Sequence, residues 1–350
     1  MFRRHFSALG AALIVVAALA GCAQPQVGGV PAAVATADAT GIRQLDWLHT
    51  YDQLTRELKR IEAESAGRVR VVSIGKTLEG RDVWFATVGT GLRRLLFLTQ
   101  QHGNEPLPTE AALFLLDRLS TAPAGSNDAW LLTKVTLGIV VRANPDGSEV
   151  YHRWNVDPLA PAIAGAREGV GYDVNRWHAP MWDARLDENP VREARAIIAT
   201  YHSFQPELVV DYHHQGDFIH DSTGQLVDMS IFWPTAPGIS DAVRQQSQRV
   251  NVVIYDAVRA AGGVVTQYPG GDFEGIARNA YGLRGSASVL VEHRRNVEQA
   301  HEWLTWNSKV SMLSIMQAYA DGSIHRIDPD RAWDIPDRGD RFELPVDQYH

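Results

Sequence analysis

The chain has 350 residues, of which 45% are hydrophobic and 21% are charged, and this is the composition of a globular protein with material for a sizeable core. Its formal net charge of −8 argues against a nucleic acid as partner, because phosphate backbones bind to basic surfaces. The single cysteine excludes an internal disulfide, so the core must supply the stability by itself.

The first 22 residues have the pattern of an export signal. Arg3 and Arg4 give a basic start, and residues 8–20 form a nearly unbroken apolar run. The run is shorter than the stretch of about 20 apolar residues that spans a bilayer. It closes on a Leu-Ala-Gly-Cys tetrapeptide that ends at Cys22 and resembles the bacterial lipobox. We therefore predict a signal peptide at residues 1–21 and lipidation of Cys22, with an ordinary cleaved signal as the alternative.

A tether is expected between the lipidated cysteine and the folded domain. Residues 22–44 are rich in Ala, Gly, Pro and Thr, and such a segment buries too little apolar surface to order itself. Ala23 follows Cys22 at the position where an aspartate would signal retention in the inner membrane. We expect the protein to be exported and lipid-anchored in the cell envelope, at the periplasmic face of the outer membrane.

Strands and helices alternate through residues 45–325 without an internal repeat. The predicted strands are 68–75, 82–88, 94–100, 135–142, 207–213, 229–233, 263–268 and 287–293, and the predicted helices are 50–65, 108–120, 190–203, 238–261 and 297–319. Several strands are continuous apolar runs, which is typical of strands covered on both faces. The alternation predicts a single three-layer α/β/α domain with a mixed, mostly parallel sheet of about eight strands. Residues 326–350 are predicted to form a polar C-terminal tail.

Polar residues follow four of the predicted strands at their carboxyl ends. These residues are 101–106, 144–147, 211–216 and 292–294. Open α/β sheets bind their ligands beyond the carboxyl ends of the strands. We therefore expect the histidines, carboxylates and arginines of these segments to meet at one edge of the sheet.

The first and third of these segments contain a possible metal site. His102 and Glu105 are three residues apart, so in a turn both can face one point. A third ligand is available from His213 or from its neighbour His214. Two histidines and one glutamate form an open catalytic zinc site, with water as the fourth ligand, and the same donors also suit cobalt or manganese. The prediction is one zinc ion per chain.

Glu292 is the candidate general base. It lies late in an apolar strand, where a carboxylate is costly unless it is paired or functional. A zinc-bound water needs a base that takes its proton. The alternative is a structural salt bridge from Glu292 to Arg294 or Arg295.

In their order and spacing these motifs resemble the carboxypeptidase A-like family of zinc carboxypeptidases. The resemblance covers roughly residues 51–320 and rests on segments 73–81, 102–105, the N-P-D-G turn at 144–147, the D-x-N-R segment at 173–176, the D-x-H segment at 211–213 and Glu292. It implies that His102, Glu105 and His213 bind the metal, which favours His213 over His214, and that Glu292 is the catalytic glutamate.

The resemblance also implies roles in substrate binding. Asn175 and Arg176 would grip the terminal carboxylate of a peptide, and a planar guanidinium suits a carboxylate because it forms two parallel hydrogen bonds. Asp173 would orient His102 from behind, with a turn-capping role as the alternative.

The resemblance implies two further roles, and for each of them two residues are candidates. Arg153 would polarise the scissile carbonyl, with Arg167 as the rival, and Tyr268 would cap the substrate, with Tyr281 as the rival. The residues that select the substrate side chain are expected in the segment 271–292, near Phe273 and Glu274, but the motifs do not decide between an apolar and a basic preference.

The predicted function is hydrolysis of the C-terminal peptide bond of peptides with a free C-terminus, by a monomer with Glu292 as general base. The first alternative is a related amidase or endopeptidase that cleaves cell-wall peptides. The second is a non-catalytic binding module of the envelope, which the complete ligand set together with Glu292 and Arg176 disfavours.

Overall fold

The computed structural model describes residues 48–295 and 297–342, with the backbone alone at 297–300 and at the two short strands Thr36–Ala37 and Arg43–Gln44. The predicted signal peptide, Cys22 and most of the predicted tether lie outside the described residues, as do residues 343–350. No helix in the described ranges combines the length and the apolar character that crossing a membrane requires.

Eight strands form the central sheet. They are β1 Val69–Lys76, β2 Asp82–Val88, β3 Arg93–Thr99, β4 Val135–Val141, β5 Leu208–Gln215, β6 Met229–Phe232, β7 Val265–Gln267 and β8 Ala287–Arg294. Their spatial order is β7-β6-β8-β5-β3-β4-β2-β1. The pairs β7/β6, β8/β5, β5/β3 and β3/β4 are parallel, and the other three pairs are antiparallel. The prediction of a mixed, mostly parallel sheet is confirmed.

Helices cover both faces of this sheet. They are α1 Tyr51–Glu64, α2 Leu107–Ser120, α3 Asn127–Lys134, α4 Pro145–Glu149, α5 Arg192–Phe204, α6 Asp241–Ala260, α7 Ala277–Leu283 and α8 Val297–Ala320. The short helices α3, α4 and α7 are additions to the predicted set. A hairpin of the two-residue strands Ala166–Arg167 and Gly171–Tyr172 lies in the loop after α4.

The central strands bury both of their faces, which explains their continuous apolar runs. In β3, Leu95 and Phe97 pack into the core formed with α1, α2, α6 and α8, whereas Leu96 and Leu98 pack into the second core with α5 and α7. Successive side chains of a strand point to opposite faces, so an apolar residue is needed at every position. The three-layer arrangement follows from this pattern.

The residues predicted as a polar tail pack against the sheet as far as the structure describes them. Ile335 is buried in the core, and the backbone N–H of Gln267 at the end of β7 donates to the Pro336 carbonyl at 2.7 Å. Farther along, the Phe342 N–H donates to the Asp217 carbonyl at 2.9 Å. Residues 335–342 therefore lie between the end of β7 and the loop that follows β5.

Candidate active site

Three neighbouring strands deliver the candidate site. The loop after β3 carries His102 and Glu105, β5 carries His213, and β8 carries Glu292. In the parallel pairing of β8 with β5, Glu292 lies opposite His213. The order β8-β5-β3 thus brings these residues to one edge of the sheet, where α/β folds place their ligands.

The side chains of His102, Glu105 and His213 converge on one point. Their potential ligand atoms all lie within 4.8 Å of one another, and all three side chains are buried. The Nδ1 atoms of His102 and His213 are each 2.8 Å from a carboxylate oxygen of Glu105 and 3.1 Å from each other. Two imidazoles and a carboxylate are the donor set of an open zinc site, so these residues fit the ion.

A carboxylate stands behind each of the two histidines. His102 Nε2 is 3.0 Å from Asp173 Oδ1, and His213 Nε2 is 2.8 Å from Asp211 Oδ2. A proton on each Nε2, donated to the carboxylate, leaves Nδ1 with its lone pair free for a metal. No role was predicted for Asp211, although the signal was present: Asp211 and His213 are two apart on a strand and so share a face.

The carboxylates make this centre attractive to a cation. Burial alone would lower the pKa of His213, but Asp211 and Glu105 beside it raise that pKa well above its ordinary value. Burial would likewise raise the pKa of Glu105, but His102 and His213 hold it well below its ordinary value. The same negative charges that favour a proton on His213 would favour a bound metal ion.

The loop that carries His102 is fixed by the N-P-D-G turn. Gly103 approaches this turn so closely that a Cβ on it would lie 2.0 Å from the carbonyl carbon of Gly147. Asn144 Nδ2 donates to the Gln101 carbonyl at 3.1 Å. Asp146 accepts from Thr77 Oγ1 at 2.8 Å, and this bond connects the turn to the segment between β1 and β2. These contacts account for Gly103, Asn144 and Asp146, and they link three of the predicted motifs.

A buried chain of hydrogen bonds extends from Asp211 away from the metal centre. Gln101 Nε2 donates to Asp211 Oδ1 at 2.7 Å, and Gln101 Oε1 lies 2.6 Å from His178 Nε2. His178 Nδ1 lies 3.0 Å from the hydroxyl of Tyr281. Burial lowers the pKa of His178 to about 3, so its ring is neutral, donating through Nε2 and accepting through Nδ1. Tyr281 is therefore part of the interior.

A cavity of about 430 Å³ opens over the metal centre. Its walls include most of the predicted site residues, namely His102, Arg153, Asn175, Arg176, Tyr268 and Glu292. Of the paired alternatives, Tyr268 lines the cavity and Tyr281 does not, and Arg153 lines it whereas Arg167 is exposed elsewhere. His214 lines the cavity but does not join the cluster of potential metal ligands.

Arg153 is held beside the metal centre by Asp173. Its Nε and Nη2 lie 3.0 and 2.8 Å from Asp173 Oδ2, and its Nη1 lies 3.9 Å from Glu105 Oε1. Arg176 lies farther out, with Nη2 3.9 Å from Asp173 Oδ2 and about one third of its side chain exposed. Asp173 therefore orients one histidine and two arginines at once.

The side-chain amide of Asn175 joins the centre to α7. Its Oδ1 accepts from the backbone N–H of Ala277 at 2.7 Å, and its Nδ2 donates to Asp211 Oδ2 at 3.1 Å. The predicted role of Asn175 was substrate binding. In the structure both ends of its amide have protein partners, although the residue still borders the cavity.

Glu292 lines the cavity, and no described residue forms a salt bridge with it. Its Oε2 has no hydrogen-bond partner among the residues that the structure describes, and Arg294, one of the two predicted partners, pairs instead with Asp228 at 3.2 Å. Burial raises the pKa of the Glu292 carboxyl to about 8. A buried carboxylate that borders a cavity is more consistent with a role in catalysis than with a structural ion pair.

The fold and the site together define an α/β protein with a His-Glu-His group that could hold a metal ion at the carboxyl edge of its sheet. The family profile described as zinc carboxypeptidase matches residues 54–269, which is more than half of the chain. The chain therefore belongs to the zinc carboxypeptidase family.

Relatives and solved structures agree with this family. The chain is 28% identical over 197 residues to the human carboxypeptidase N catalytic chain (47% of this chain, 42% of the relative). It is 28% identical over 139 residues to carboxypeptidase D of Drosophila melanogaster (37% and 9%). A metallo-carboxypeptidase structure from Burkholderia cenocepacia shares the fold, with a TM-score of 0.61, 19% identity and coverage of 79% and 70%. The chain thus spans less than half the length of these two curated relatives.

Proposed function

We propose that this protein is a zinc metallocarboxypeptidase, which removes single residues from the C-termini of peptides. The observation that carries the proposal is one cavity lined by Arg176, Glu292 and His102, the last of which belongs to the His102–Glu105–His213 group. Arg176 offers a forked donor to a free terminal carboxylate. Glu292 offers a carboxylate base in the same cavity.

These positions support a separate role for each of the site residues. His102, Glu105 and His213 would hold a zinc ion, which when bound would supply an activated water and polarise the carbonyl of the scissile bond. Glu292 accepts the proton of the attacking water and transfers it to the leaving amine. Arg153, fixed by Asp173, donates to the oxygen that becomes negative in the transition state. Tyr268 covers the bound residue and limits the access of bulk water.

Replacement of the base tests the proposal. We expect Glu292→Gln to lower kcat on N-blocked dipeptides by about 100- to 10,000-fold, because the proton transfer loses its carboxylate. Zinc content, measured by atomic emission, should stay at one ion per chain. A matched control is Glu302→Gln on the exposed side of α8, which should retain full activity. Full activity in Glu292→Gln would refute the assignment.

Product analysis separates peptide-end trimming from wall cleavage. The purified protein is incubated with linear peptides and with muropeptides, and the products are followed by mass spectrometry. Sequential loss of single C-terminal residues supports the carboxypeptidase. Internal cleavage of muropeptides alone would replace it by the amidase or endopeptidase alternative.

We further propose that Cys22 anchors the domain to the outer membrane. The support is the sequence pattern around Cys22, a residue that lies outside the described part of the chain. We expect Cys22→Ser to lose incorporation of labelled palmitate and to move the protein from the membrane fraction to the soluble fraction, since acylation supplies the membrane affinity. If Cys22→Ser were recovered in the membrane fraction as fully as the wild-type protein although it carried no labelled palmitate, this anchor would be excluded.

A further inference from the structure

A buried arginine in the cavity wall forms no ion pair with any acidic residue that the structure describes. Arg278 lies in α7 and is only 2% exposed. Its Nη2 donates to the Gly271 carbonyl at 2.7 Å, but its Nε and Nη1 have no hydrogen-bond partner within the described part of the chain. No carboxylate of the described residues is within ion-pairing distance of the guanidinium. Burial lowers the pKa of Arg278 only to about 10, so it remains a cation at neutral pH.

A second arginine reaches the same cavity from the C-terminal segment. Arg338 Nη1 donates to Gln215 Oε1 at 2.7 Å. Its guanidinium carbon lies 3.6 Å from the ring centroid of Phe218 and 4.7 Å from that of Tyr268. These contacts fix a half-buried cation next to the proposed capping tyrosine. As with Arg278, no ion pair joins Arg338 to a carboxylate among the residues described.

The cavity therefore has more cations than its proposed function requires. Arg153 is neutralised by Asp173, and a terminal carboxylate would neutralise Arg176. Arg278 and Arg338 remain, and among the described residues that line the cavity Glu292 is the one acidic residue. Burial of an unpaired charge is costly, so the unpaired guanidinium groups indicate that an anion is expected from the substrate.

We infer that the enzyme prefers substrates whose C-terminal residue has an acidic side chain, glutamate or aspartate, and that Arg278 is the main specificity-determining residue, with Arg338 the second. This inference rests on the proposed function. An acidic residue brings two carboxylates, one for Arg176 and one for the Arg278 side of the cavity. A lysine or arginine side chain would add a third like charge, and an aliphatic side chain would leave Arg278 without a partner.

The test uses the zinc-loaded full chain and pairs of N-blocked dipeptides that differ only in the last residue. Glutamate is compared with glutamine and aspartate with asparagine, because each pair has nearly the same shape and differs in charge. We expect kcat/KM to be roughly 10- to 100-fold higher for the acidic member, the range of a hydrogen bond to a charged group. Dipeptides ending in leucine and lysine complete the set.

Variants then assign the preference to residues. Arg278→Gln should bring the ratio of kcat/KM for glutamate over glutamine close to one, while Arg278→Lys should retain part of it because the charge stays. Arg338→Gln should lower the ratio by a smaller factor. The matched control is Arg331→Gln in the same C-terminal segment, whose surface pair with Asp256 lies outside the cavity lining, and its ratio should be unchanged.

Each outcome bears on either the inference or the proposed function. Hydrolysis with equal rates on glutamate and glutamine, or a preference for leucine or lysine, overturns the inference and leaves the carboxypeptidase standing. No release of any C-terminal residue refutes the proposed function itself. If Arg278→Gln does not fold, the ratio of kcat/KM for glutamate over glutamine in the wild-type protein and in Arg338→Gln still tests the preference for an acidic residue.

Discussion

A carboxylate lies behind each histidine of the metal centre, and the two differ in what else they bind. Asp173 Oδ2 is bonded to Arg153, whereas Asp211 has only neutral donors and His213 around it. Asp211 is fully buried, so its negative charge depends on the hydrogen bonds that it accepts from Gln101, Asn175 and His213. This makes Asp211 the residue that fixes the ring of His213.

We predict that Asp211→Asn weakens zinc binding by about 10- to 100-fold, the usual effect of removing a hydrogen-bond acceptor behind a metal-binding histidine. The new amide nitrogen would face another donor, either Gln101 Nε2 or His213 Nε2. Zinc affinity is measured by competition with a chromogenic chelator, and folding by circular dichroism. The control is Asp228→Asn, a buried aspartate paired with Arg294 instead of with a metal ligand. Equal zinc affinity in both variants would contradict this role.

At the scale of elements, periodicity was enough to predict the sheet and the large helices. The apolar runs in β3 and β5 require cover on both faces, and that requirement yields the three layers. The apolar run at 208–210 also predicted the strand that carries His213. These features are local, because a few consecutive residues contain the whole signal.

The cavity wall could not be predicted in the same way. Arg338 is 123 residues from its partner Gln215, and nothing in a polar C-terminal segment indicates which strand end it will reach. The helix α7 has only seven residues, too few for a clear helical period, so Arg278 was missed although it follows Tyr268 by ten positions. Phe273, one of the two positions predicted to lie near the specificity residues, does line the cavity but is largely exposed.

Helix α5 is tied to the loop after α4 by a buried acid. Glu193 Oε2 accepts from Asn155 Nδ2 at 2.9 Å, and Asn155 Oδ1 accepts from the Tyr172 N–H at 2.6 Å. Burial raises the pKa of Glu193 from 4.5 to about 7. The folded protein therefore binds a proton at this carboxyl that the unfolded chain releases. The stability from this group is present below about pH 4.5 and is lost as the pH rises through about 7.

We predict that Glu193→Gln removes this pH dependence, because the amide can still accept from Asn155 and does not ionise. At pH 8 the variant should gain up to about 3 kcal/mol in free energy of unfolding relative to wild type, and at pH 5 little. Urea unfolding at both pH values measures the difference. Glu188→Gln, at an exposed position just before α5, should show the same change at both pH values. If the gain in the free energy of unfolding were no larger at pH 8 than at pH 5, the raised pKa of Glu193 would be contradicted.

At the scale of the whole molecule, the metal centre connects segments that are far apart along the chain. Its potential ligands come from the loop after β3 and from β5, about 110 residues farther along. Asp173 and Asn175 connect them to the segment before α5 and to the start of α7. Three buried carboxylates, Glu105, Asp173 and Asp211, are concentrated there. Their mutual repulsion is offset by the histidines and Arg153, and a divalent ion would offset it more strongly.

We therefore predict that zinc stabilises the whole domain against unfolding. An ion that binds only the folded state, at a free concentration 1,000 times its Kd, adds about 4 kcal/mol to the free energy of unfolding. This corresponds to a rise in Tm on the order of 5–10 °C for a chain of this size. Scanning calorimetry of chelator-treated and zinc-loaded protein measures the shift. Magnesium should give none, because it prefers oxygen ligands. His213→Ala should melt at the same temperature with and without zinc, and a zinc-dependent shift in that variant would place the stabilising ion outside the His102–Glu105–His213 group.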